Sequence, residues 1–239
     1  MSAFREKGFA SLPRLGGWFY DRFMNNKPIR TQNREIAQFL VSRGRSGRLL
    51  DVGAGPGRLL LEIHRLAPDL ELYGIDISPA MVRQARKNLE GVRADFREGT
   101  IRRTDYESGY FTVVTCTGSF YLWDYPVESL DEIFRILKAG HSACLFETYG
   151  DFNRDEFEKA LSLNRLRLGP IQKRMAPLAL RKQLSMTYKI PEFAQLIGKS
   201  RFAKSYAIEK LTLAGLPIWV SLTLSKPLQT TAPLSAKSA

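Results

Sequence analysis

The residues best suited to chemistry are three glycines spaced two residues apart, Gly53, Gly55 and Gly57, within the stretch LLDVGAGPGR at 49–58. They follow a short apolar run that predicts a strand and precede a run that predicts a helix. Glycines at such a turn allow backbone N–H groups and a helix N-terminus to approach a ligand closely. The turn is therefore a candidate ligand-binding loop, with a simple tight turn as the alternative.

A carboxylate ends the next predicted strand, LELYGID at 70–76. In a parallel sheet Asp76 would lie beside the first strand, at the carboxyl edge, where it can accept two hydrogen bonds from a ribose diol. The alternative is that Asp76 caps the following helix, but Ser78 is predicted to provide that cap. We therefore predict that Asp76 binds ribose.

The glycine spacing bears on which nucleotide is bound. A dinucleotide fingerprint, G-x-G-x-x-G/A, requires a small residue at position 58, where this chain has Arg58. The pattern here is G-x-G-x-G, which suits a ligand with an adenosine and a short polar tail but no pyrophosphate. It argues against NAD and favours S-adenosylmethionine.

Around these residues the predicted strands and helices alternate, which indicates an α/β fold with a Rossmann-like, doubly wound and mostly parallel sheet. A helical, basic insert at 152–200 precedes the last two strands, whose short connector predicts an antiparallel C-terminal hairpin. The predicted helices are 28–43, 59–66, 78–89 and 126–138, and the predicted strands are 48–55, 70–76, 92–96, 110–117, 142–148, 207–213 and 218–224.

Length and composition indicate one domain, because 239 residues with 44% hydrophobic and 25% charged side chains are ordinary for a globular protein. Two cysteines, Cys116 and Cys144, and two histidines are too few for a Cys/His metal centre, so no metal is expected. No apolar run reaches the length of a membrane span or a signal peptide, so a cytoplasmic protein is the expectation. The predicted domain covers 1–226, with an N-terminal cap at 15–44, a core at 48–150, the insert at 152–200, a hairpin at 203–225 and a disordered tail at 227–239.

The net charge of +12 is unevenly distributed along the chain, with +7 in residues 1–50, −4 in residues 51–150 and +9 in residues 151–239. The basic flanks are either solvated helix faces or surfaces for an anionic partner. Such a partner would be an acidic small molecule, a lipid surface or nucleic acid.

Residues 49–148 resemble a class I S-adenosylmethionine-dependent methyltransferase, of the small-molecule type that includes the ubiquinone/menaquinone-biosynthesis methyltransferases. The resemblance is carried by LLDVGAGPGR, GIDISPAMVRQARKNL, FREGTIRRTDYESGYFTVV and SLDEIFRILKAG, and by closing strands YAIEKLTL and IWVSLTL that resemble the C-terminal hairpin of that fold. It implies the fold and the cofactor, S-adenosyl-L-methionine, but not the acceptor.

The resemblance also implies roles for residues on the cofactor side. The glycines would hold the methionine moiety, Asp51 would reach its amino group, and Asp76 would bind the ribose. Relatives often carry an Asp where this chain has Thr100, which offers a hydroxyl but no charge. The full predicted cofactor-binding set is Asp51, Gly53, Ala54, Gly55, Gly57, Asp76, Ile77, Met81, Gly99, Thr100, Ile101 and Thr117.

Methyl transfer depends largely on alignment of the nucleophile, the methyl group and the sulfur, although some acceptors also need a base. Four residues after strands 4 and 5 are placed to provide one: Tyr121, Asp124, Glu147 and Tyr149. The alternative is that the aromatic residues only form pocket wall and that Asp124 caps the next helix.

The predicted acceptor pocket is aromatic. Its residues come from the segment 15–30 and the loop 117–126, and they are Trp18, Tyr20, Phe120, Tyr121 and Trp123. The insert would add cations, namely Arg165, Arg167, Lys173, Arg174, Arg181 and Lys182. An aromatic wall rimmed by cations predicts a small apolar or aromatic acceptor with a negative charge, whereas simple core packing is the alternative for these aromatics.

Three functions stay open. The first is a small-molecule methyltransferase, with peripheral membrane contact as a variant. The second is a tRNA or rRNA methyltransferase, which basic flanks would suit; nucleic acid is not favoured, because TCTGSFYLWD contains neither Asn/Asp-Pro-Pro-Tyr/Phe nor Pro-Cys. The third is a non-catalytic cofactor-binding scaffold.

Overall fold

In the computed structural model, residues 26–162, 184 and 186–228 are described. Strands and helices alternate through the first two thirds of this part of the chain. A 3-10 helix, Phe120–Leu122, follows the fourth strand. The elements in chain order are α1 (Lys27–Ser42), β1 (Gly47–Val52), α2 (Arg58–Leu66), β2 (Leu70–Asp76), α3 (Pro79–Asn88), β3 (Ala94–Glu98), β4 (Phe111–Thr117), α4 (Pro126–Ile136), β5 (Leu137–Thr148), α5 (Arg154–Ser162), α6 (Ile190–Gly198), β6 (Tyr206–Leu213) and β7 (Leu216–Ser225).

The seven strands form one sheet in the order β3-β2-β1-β4-β5-β7-β6. Strands β1 to β5 pair with one another in parallel, whereas β7 runs antiparallel between β5 and β6. This arrangement confirms the predicted doubly wound, mostly parallel sheet with an antiparallel C-terminal hairpin.

The strand order reverses direction at β1, which pairs with β2 on one side and β4 on the other. Connections that leave β1 and β4 therefore pass to opposite faces of the sheet. In open α/β sheets such a switch point leaves a crevice at the carboxyl ends of the strands. The loop after β1, residues 53–57 (the glycine loop), opens into this crevice.

Helices cover both faces of the sheet and bury its apolar side chains. On one face α1, α2 and α3 contribute Ile36, Leu40, Leu60, Ile63 and Ala85 to the core. On the other face α4 and α6 pack against the strands, and their core residues are Leu130, Ile133, Ile136, Phe193 and Ile197. Burial of each large aliphatic side chain contributes roughly 1.5–3 kcal/mol, so the sheet is rigidly supported from both sides.

Several predicted boundaries differ from the structure. Strand β1 ends at Val52 instead of 55, β5 begins at Leu137 instead of 142, and β7 begins at Leu216 instead of 218. Helix α4 ends at Ile136 instead of 138, because Leu137 has extended backbone and already pairs with Phe111 as the start of β5. Strand β3 begins at Ala94 instead of 92, because the N–H of Val92 donates to Leu89 O in the turn that ends α3.

Ser78 stands at the N-cap position of α3, but the predicted capping hydrogen bond is wrong. Its hydroxyl is buried and makes no hydrogen bond. The backbone N–H of Ser78 instead donates to Asp76 Oδ1 at 2.8 Å, so the carboxylate of Asp76 organises this turn. At the start of α1 the capping group is Asn26, whose side chain accepts from the N–H of Ile29 at 3.1 Å.

Several predicted segments lie outside the described residues. They are the N-terminal cap before residue 26, residues 163–183 and 185 of the insert, and the tail after 228. The domain boundaries that depend on them stay predictions. Within the part of the chain that the structure describes, no helix is long and apolar enough to cross a membrane.

Gly57 sets how closely α2 approaches its neighbours. It is the N-cap of α2 and has a left-handed backbone, with φ of +73°. A Cβ at this position would lie 2.6 Å from Leu89 Cδ1, 3.2 Å from Phe96 Cζ and 3.3 Å from Ala85 Cβ. Only glycine fits this contact without displacing α3 and β3.

We expect Gly57→Ala to lower the free energy of unfolding by about 2–4 kcal/mol, since left-handed strain and overpacking add. The control is Gly91→Ala, because Gly91 also has positive φ, +79°, but nothing lies within 4 Å of its Cβ position. Gly91→Ala should lower the free energy of unfolding by about 1–2 kcal/mol, from backbone strain alone. Urea unfolding of both variants measures the difference, and equal losses would show that the close approach is unimportant.

Candidate functional site

A cavity of about 790 Å³, including its open mouth, lies at the carboxyl ends of β1, β2 and β4. Its lining comes from the ends of these strands, the loops that follow them, the turn after β3 and helix α3. The lining residues are Val52, Gly53, Gly55, Ile75, Asp76, Ile77, Met81, Gly99, Thr100, Ile101, Thr117, Gly118, Ser119, Tyr121, Leu122 and Trp123.

The glycine loop is held against the end of β2 by its own backbone. The N–H groups of Gly53 and Ala54 donate to Ile75 O at 2.9 and 3.1 Å. Gly53 has φ of +67°, and a Cβ there would lie 2.3 Å from Ser119 Oγ, so this position also requires glycine. Gly53 and Gly55 line the cavity, whereas Ala54 does not and Gly57 contacts α3 and β3.

Asp76 joins the two loops that border the cavity. Its Oδ2 accepts from the N–H of Gly55 and its Oδ1 from the N–H of Ser78, both at 2.8 Å. Burial raises the pKa of Asp76 by more than these two hydrogen bonds lower it. Each carboxylate oxygen can still accept a further hydrogen bond, so the side chain can bind a diol while it holds the loops.

Asp51 lies one layer deeper, on β1, and is only 2% exposed. Burial is the main reason that its pKa is raised to about 8, and the negative charge of Asp76 adds to the effect. The side chain does not line the cavity. At neutral pH it is mostly protonated, and a cationic group brought close to it would favour the carboxylate form.

The opposite wall of the cavity is mostly apolar. Ile77, Met81 and Ile101 line it, and Met81 and Ile101 are buried. Gly99 donates its N–H to Asp76 O at 3.0 Å, and Thr100 Oγ1 accepts from the N–H of Arg102 at 3.3 Å. This wall is an apolar surface with the hydroxyl of Thr100 beside it.

The loop after β4, residues 118–125 (the β4 loop), forms the third wall. It contributes Tyr121 and Trp123, as well as Gly118, Ser119 and Leu122, which the sequence reasoning missed. Ser119 could have been predicted from the sequence, because it lies just after a strand that neighbours the glycine loop. Thr117, at the end of β4, also lines the cavity.

Of the four predicted bases, Tyr121 lines the cavity. Asp124 does not line it, and Tyr149 is buried with its hydroxyl 3.5 Å from Pro217 O. Glu147 is fully buried beneath the β4 loop, where its Oε1 accepts from the N–H groups of Ser119 and Phe120. Burial raises the pKa of Glu147 to about 7, against the opposing effect of these hydrogen bonds.

The acceptor role predicted for Phe120 does not match its position. Its side chain is fully buried, with ring centroids 4.7 Å from Trp123 and 5.7 Å from Phe193. The ring therefore packs the β4 loop onto α6. Trp18, Tyr20 and the cations predicted between 165 and 182 lie outside the described residues.

Among the described residues, no group of three or more His, Cys, Asp and Glu side chains is arranged to hold a metal ion. Cys116 and Cys144 are buried free thiols on β4 and β5. The lining of the cavity offers backbone N–H groups, the carboxylate of Asp76, hydroxyls and aromatic rings.

Comparison with known proteins agrees with this geometry. Residues 49–140 match a family model described as "Methyltransferase domain". The uncharacterized methyltransferase YdaC of Bacillus subtilis (strain 168) is 27% identical over 110 residues, which cover 46% of this chain and 60% of that protein. The demethylmenaquinone methyltransferase of Deinococcus radiodurans is 32% identical over 102 residues, 42% of each chain. The chain thus spans about half the length of the curated relatives that it matches.

Solved structures show the same fold. The plantazolicin methyltransferase BamL, in complex with a triazolic desmethylPZN analog and SAH, superposes with a TM-score of 0.69. The match covers 94% of this chain and 96% of that chain at 14% sequence identity. At this identity the likeness concerns the fold alone.

We expect the free energy of unfolding to fall as pH rises from about 4 to about 8. Asp51 and Glu147 have folded pKa values of about 8 and about 7, above their ordinary values of 3.8 and 4.5. The folded state therefore binds more protons than the unfolded state in this window, so raising the pH destabilises it.

Urea unfolding at several pH values measures this slope. In Asp51→Asn the free energy of unfolding should no longer fall between about pH 7 and pH 8. In Glu147→Gln the fall below about pH 7 should become shallower. A wild-type profile that is flat, or that rises with pH, would contradict the assignment.

Proposed function

We propose that this chain, whose residues 49–140 form a class I methyltransferase domain, binds S-adenosylmethionine in the described cavity and transfers its methyl group to a small organic acceptor. The observation that carries the proposal is the position of Asp76. Its carboxylate lines the cavity at the end of β2, and backbone N–H groups from both neighbouring loops hold its two oxygens.

The walls of the cavity support a particular orientation of the cofactor. The ribose hydroxyls would bind Asp76, and the adenine would pack against Met81 and Ile101. The methionine part would lie along the close backbone of Gly53 and Gly55, with its ammonium group directed toward Asp51. This orientation directs the sulfur and its methyl group toward the β4 loop.

S-adenosylmethionine, when bound, supplies a methyl group on a sulfonium, which is already a strong electrophile. The residues of this chain have to bind, orient and exclude water. Gly53, Gly55 and Asp76 hold one end of the site, while the β4 loop covers the other. Tyr121, the one of the four predicted bases that lines the cavity, is suited to orient an acceptor oxygen or nitrogen or to accept its proton.

The side chains that the β4 loop contributes to the cavity favour an apolar or aromatic acceptor. Tyr121, Leu122 and Trp123 line one continuous cavity together with the proposed cofactor residues, so an acceptor packed on them would lie next to the methyl group. The Deinococcus radiodurans relative is named as a demethylmenaquinone methyltransferase, which fits an acceptor of this class. The alternatives, a tRNA or rRNA methyltransferase and a non-catalytic scaffold, share the cofactor cavity but not this acceptor.

The first test is calorimetric titration with S-adenosylhomocysteine, with NAD as the control ligand. We expect micromolar binding of S-adenosylhomocysteine and none of NAD. Asp76→Ala should weaken binding at least about 100-fold, because two hydrogen bonds to a charged group are lost. Asp69→Ala is the matched control, because Asp69 is exposed just before β2, at the opposite end of the same strand.

Failure of the wild-type protein to bind S-adenosylhomocysteine would overturn the proposal. Melting temperatures of both variants show whether a loss of binding reflects unfolding. Equal affinities of the Asp76 and Asp69 variants would show that Asp76 does not bind the ligand.

A second test concerns the proton on Asp51. If the ammonium group of the ligand approaches Asp51, binding at pH 7 should release up to about 0.9 proton, since the free carboxyl with a pKa of about 8 is then ionised. Titrations in phosphate and Tris buffers, which differ in ionisation enthalpy, measure this release as a difference in apparent binding enthalpy.

Asp51→Asn should abolish the buffer dependence and leave a weaker, pH-independent binding. If the wild-type enthalpies agree in the two buffers, the ammonium group does not reach Asp51.

A further inference from the structure

The β4 loop is attached to the sheet by one buried carboxyl group. Glu147, near the end of β5, is fully buried, and its Oε1 accepts from the N–H of Ser119 at 2.9 Å and from the N–H of Phe120 at 2.8 Å. Cys116 Sγ lies 3.6 Å from the same oxygen. Two backbone donors at the start of the 3-10 helix thus converge on a single acceptor.

These two donors belong to the wall of the cofactor cavity. Gly118, Ser119, Tyr121, Leu122 and Trp123 all line it. Ser119 Oγ donates to Val52 O at 3.2 Å and occupies the space where a Cβ on Gly53 would lie. A displacement of Ser119 would therefore change both the β4 loop and the space beside the glycine loop.

Burial of the Glu147 carboxyl group lowers the stability of the folded state. Its other oxygen, Oε2, is buried and makes no hydrogen bond, and an unpaired buried oxygen is destabilising. The two N–H groups would lose their acceptor if an apolar side chain stood at this position. Hydrogen bonds to an ionised acceptor are also stronger than those to a neutral one.

The position of Glu147 argues against direct contact with reacting atoms. The side chain has no exposed surface and does not line the cavity. One oxygen is already engaged by the loop backbone. A general base must lie within hydrogen-bond reach of the proton that it accepts, and the β4 loop lies between Glu147 and the cavity.

We infer that Glu147 is a positioning residue, whose Oε1 fixes the backbone of Ser119 and Phe120 so that the β4 loop forms the cofactor-side wall of the cavity. This replaces the general-base role that the sequence suggested. It rests on the proposed function, because the cavity that the loop shapes is the proposed cofactor site.

The test compares Glu147→Gln with Glu147→Leu by calorimetric titration with S-adenosylhomocysteine. The Gln variant keeps a carbonyl oxygen for both N–H groups and should bind within about threefold of wild type. The Leu variant has a similar size but no acceptor, and should bind at least about tenfold more weakly, because the cavity wall is misplaced. Unchanged affinity of the Leu variant would overturn the inference.

The matched control is Glu35→Leu. Glu35 Oε2 also accepts from a backbone N–H, that of Ala214 at 2.7 Å, but it anchors the turn between β6 and β7, away from the cavity. Both Leu variants should have lower melting temperatures, whereas only Glu147→Leu should lose affinity. Equal loss of affinity in both would show a general structural effect and overturn the inference.

A second measurement needs neither a ligand nor the Leu variant. The amide protons of Ser119 and Phe120 should shift in NMR spectra as Glu147 ionises, with a midpoint near its pKa of about 7. The other titratable groups nearby are Cys116 on β4 and Asp51 on β1, so the experiment uses an Asp51→Asn background. The shifts should disappear when Glu147→Gln is added.

The two proposals fail in distinguishable ways. If the wild-type protein does not bind S-adenosylhomocysteine but the two amides titrate as expected, the proposed function fails and the contact of Glu147 with the loop stands. If wild type binds but the amides do not titrate, or the Gln variant loses as much affinity as the Leu variant, the positioning role of Glu147 is overturned.

Discussion

The site depends most on the carboxylate of Asp76, which accepts one hydrogen bond from the glycine loop and one from the start of α3. These two segments leave neighbouring parallel strands, and the backbone hydrogen bonds between them end where Gly53 and Ala54 donate to Ile75 O. A charged acceptor between them fixes both loops at the same edge of the sheet. The cavity exists because this link and the close contact of Gly53 with Ser119 hold its three walls together.

The same region carries a cost in stability. Asp51 and Glu147 are buried carboxyl groups on strands in the middle of the sheet, and burial raises the pKa of both into the neutral range. Removing a carboxyl group from water without a full set of hydrogen-bond partners costs free energy. Each acid serves the cavity: Asp51 lies beneath the glycine loop, and Glu147 holds the β4 loop. Strained or costly groups of this kind concentrate at functional sites.

Much of the fold could be predicted because its patterns are local. The glycine-rich turn, the alternation of apolar runs with amphipathic segments and the short hairpin connector each depend on neighbours within about ten residues. The errors occurred where a contact made only in the folded chain decides the outcome. Leu137 leaves helix α4 because Phe111 offers a strand partner. The hydroxyl of Ser78 makes no capping hydrogen bond, and the turn is organised by Asp76, which accepts the N–H of Ser78.

In the functional site, too, local patterns were predictable and contacts between distant segments were not. Residues that end a strand or directly follow one, such as Asp76, Thr117 and Gly53, were predictable, because the carboxyl ends of parallel strands meet at one edge. The burial of Phe120 against α6 was not predictable, because the segment that covers it comes some seventy residues later in the chain. Nor could periodicity show that Glu147 faces the loop from beneath instead of facing the cavity.

The amino-acid sequence by itself thus determined the class of fold, the position of the ligand loop and the carboxylate beside it. These features follow from backbone conformations and hydrophobic periods that are set within short segments. Only the tertiary structure decided which carboxyl groups are buried, which aromatic rings line the cavity and which pack the core. Burial and hydrogen bonding depend on strands and helices far apart in the chain, and these meet only when the sheet is assembled.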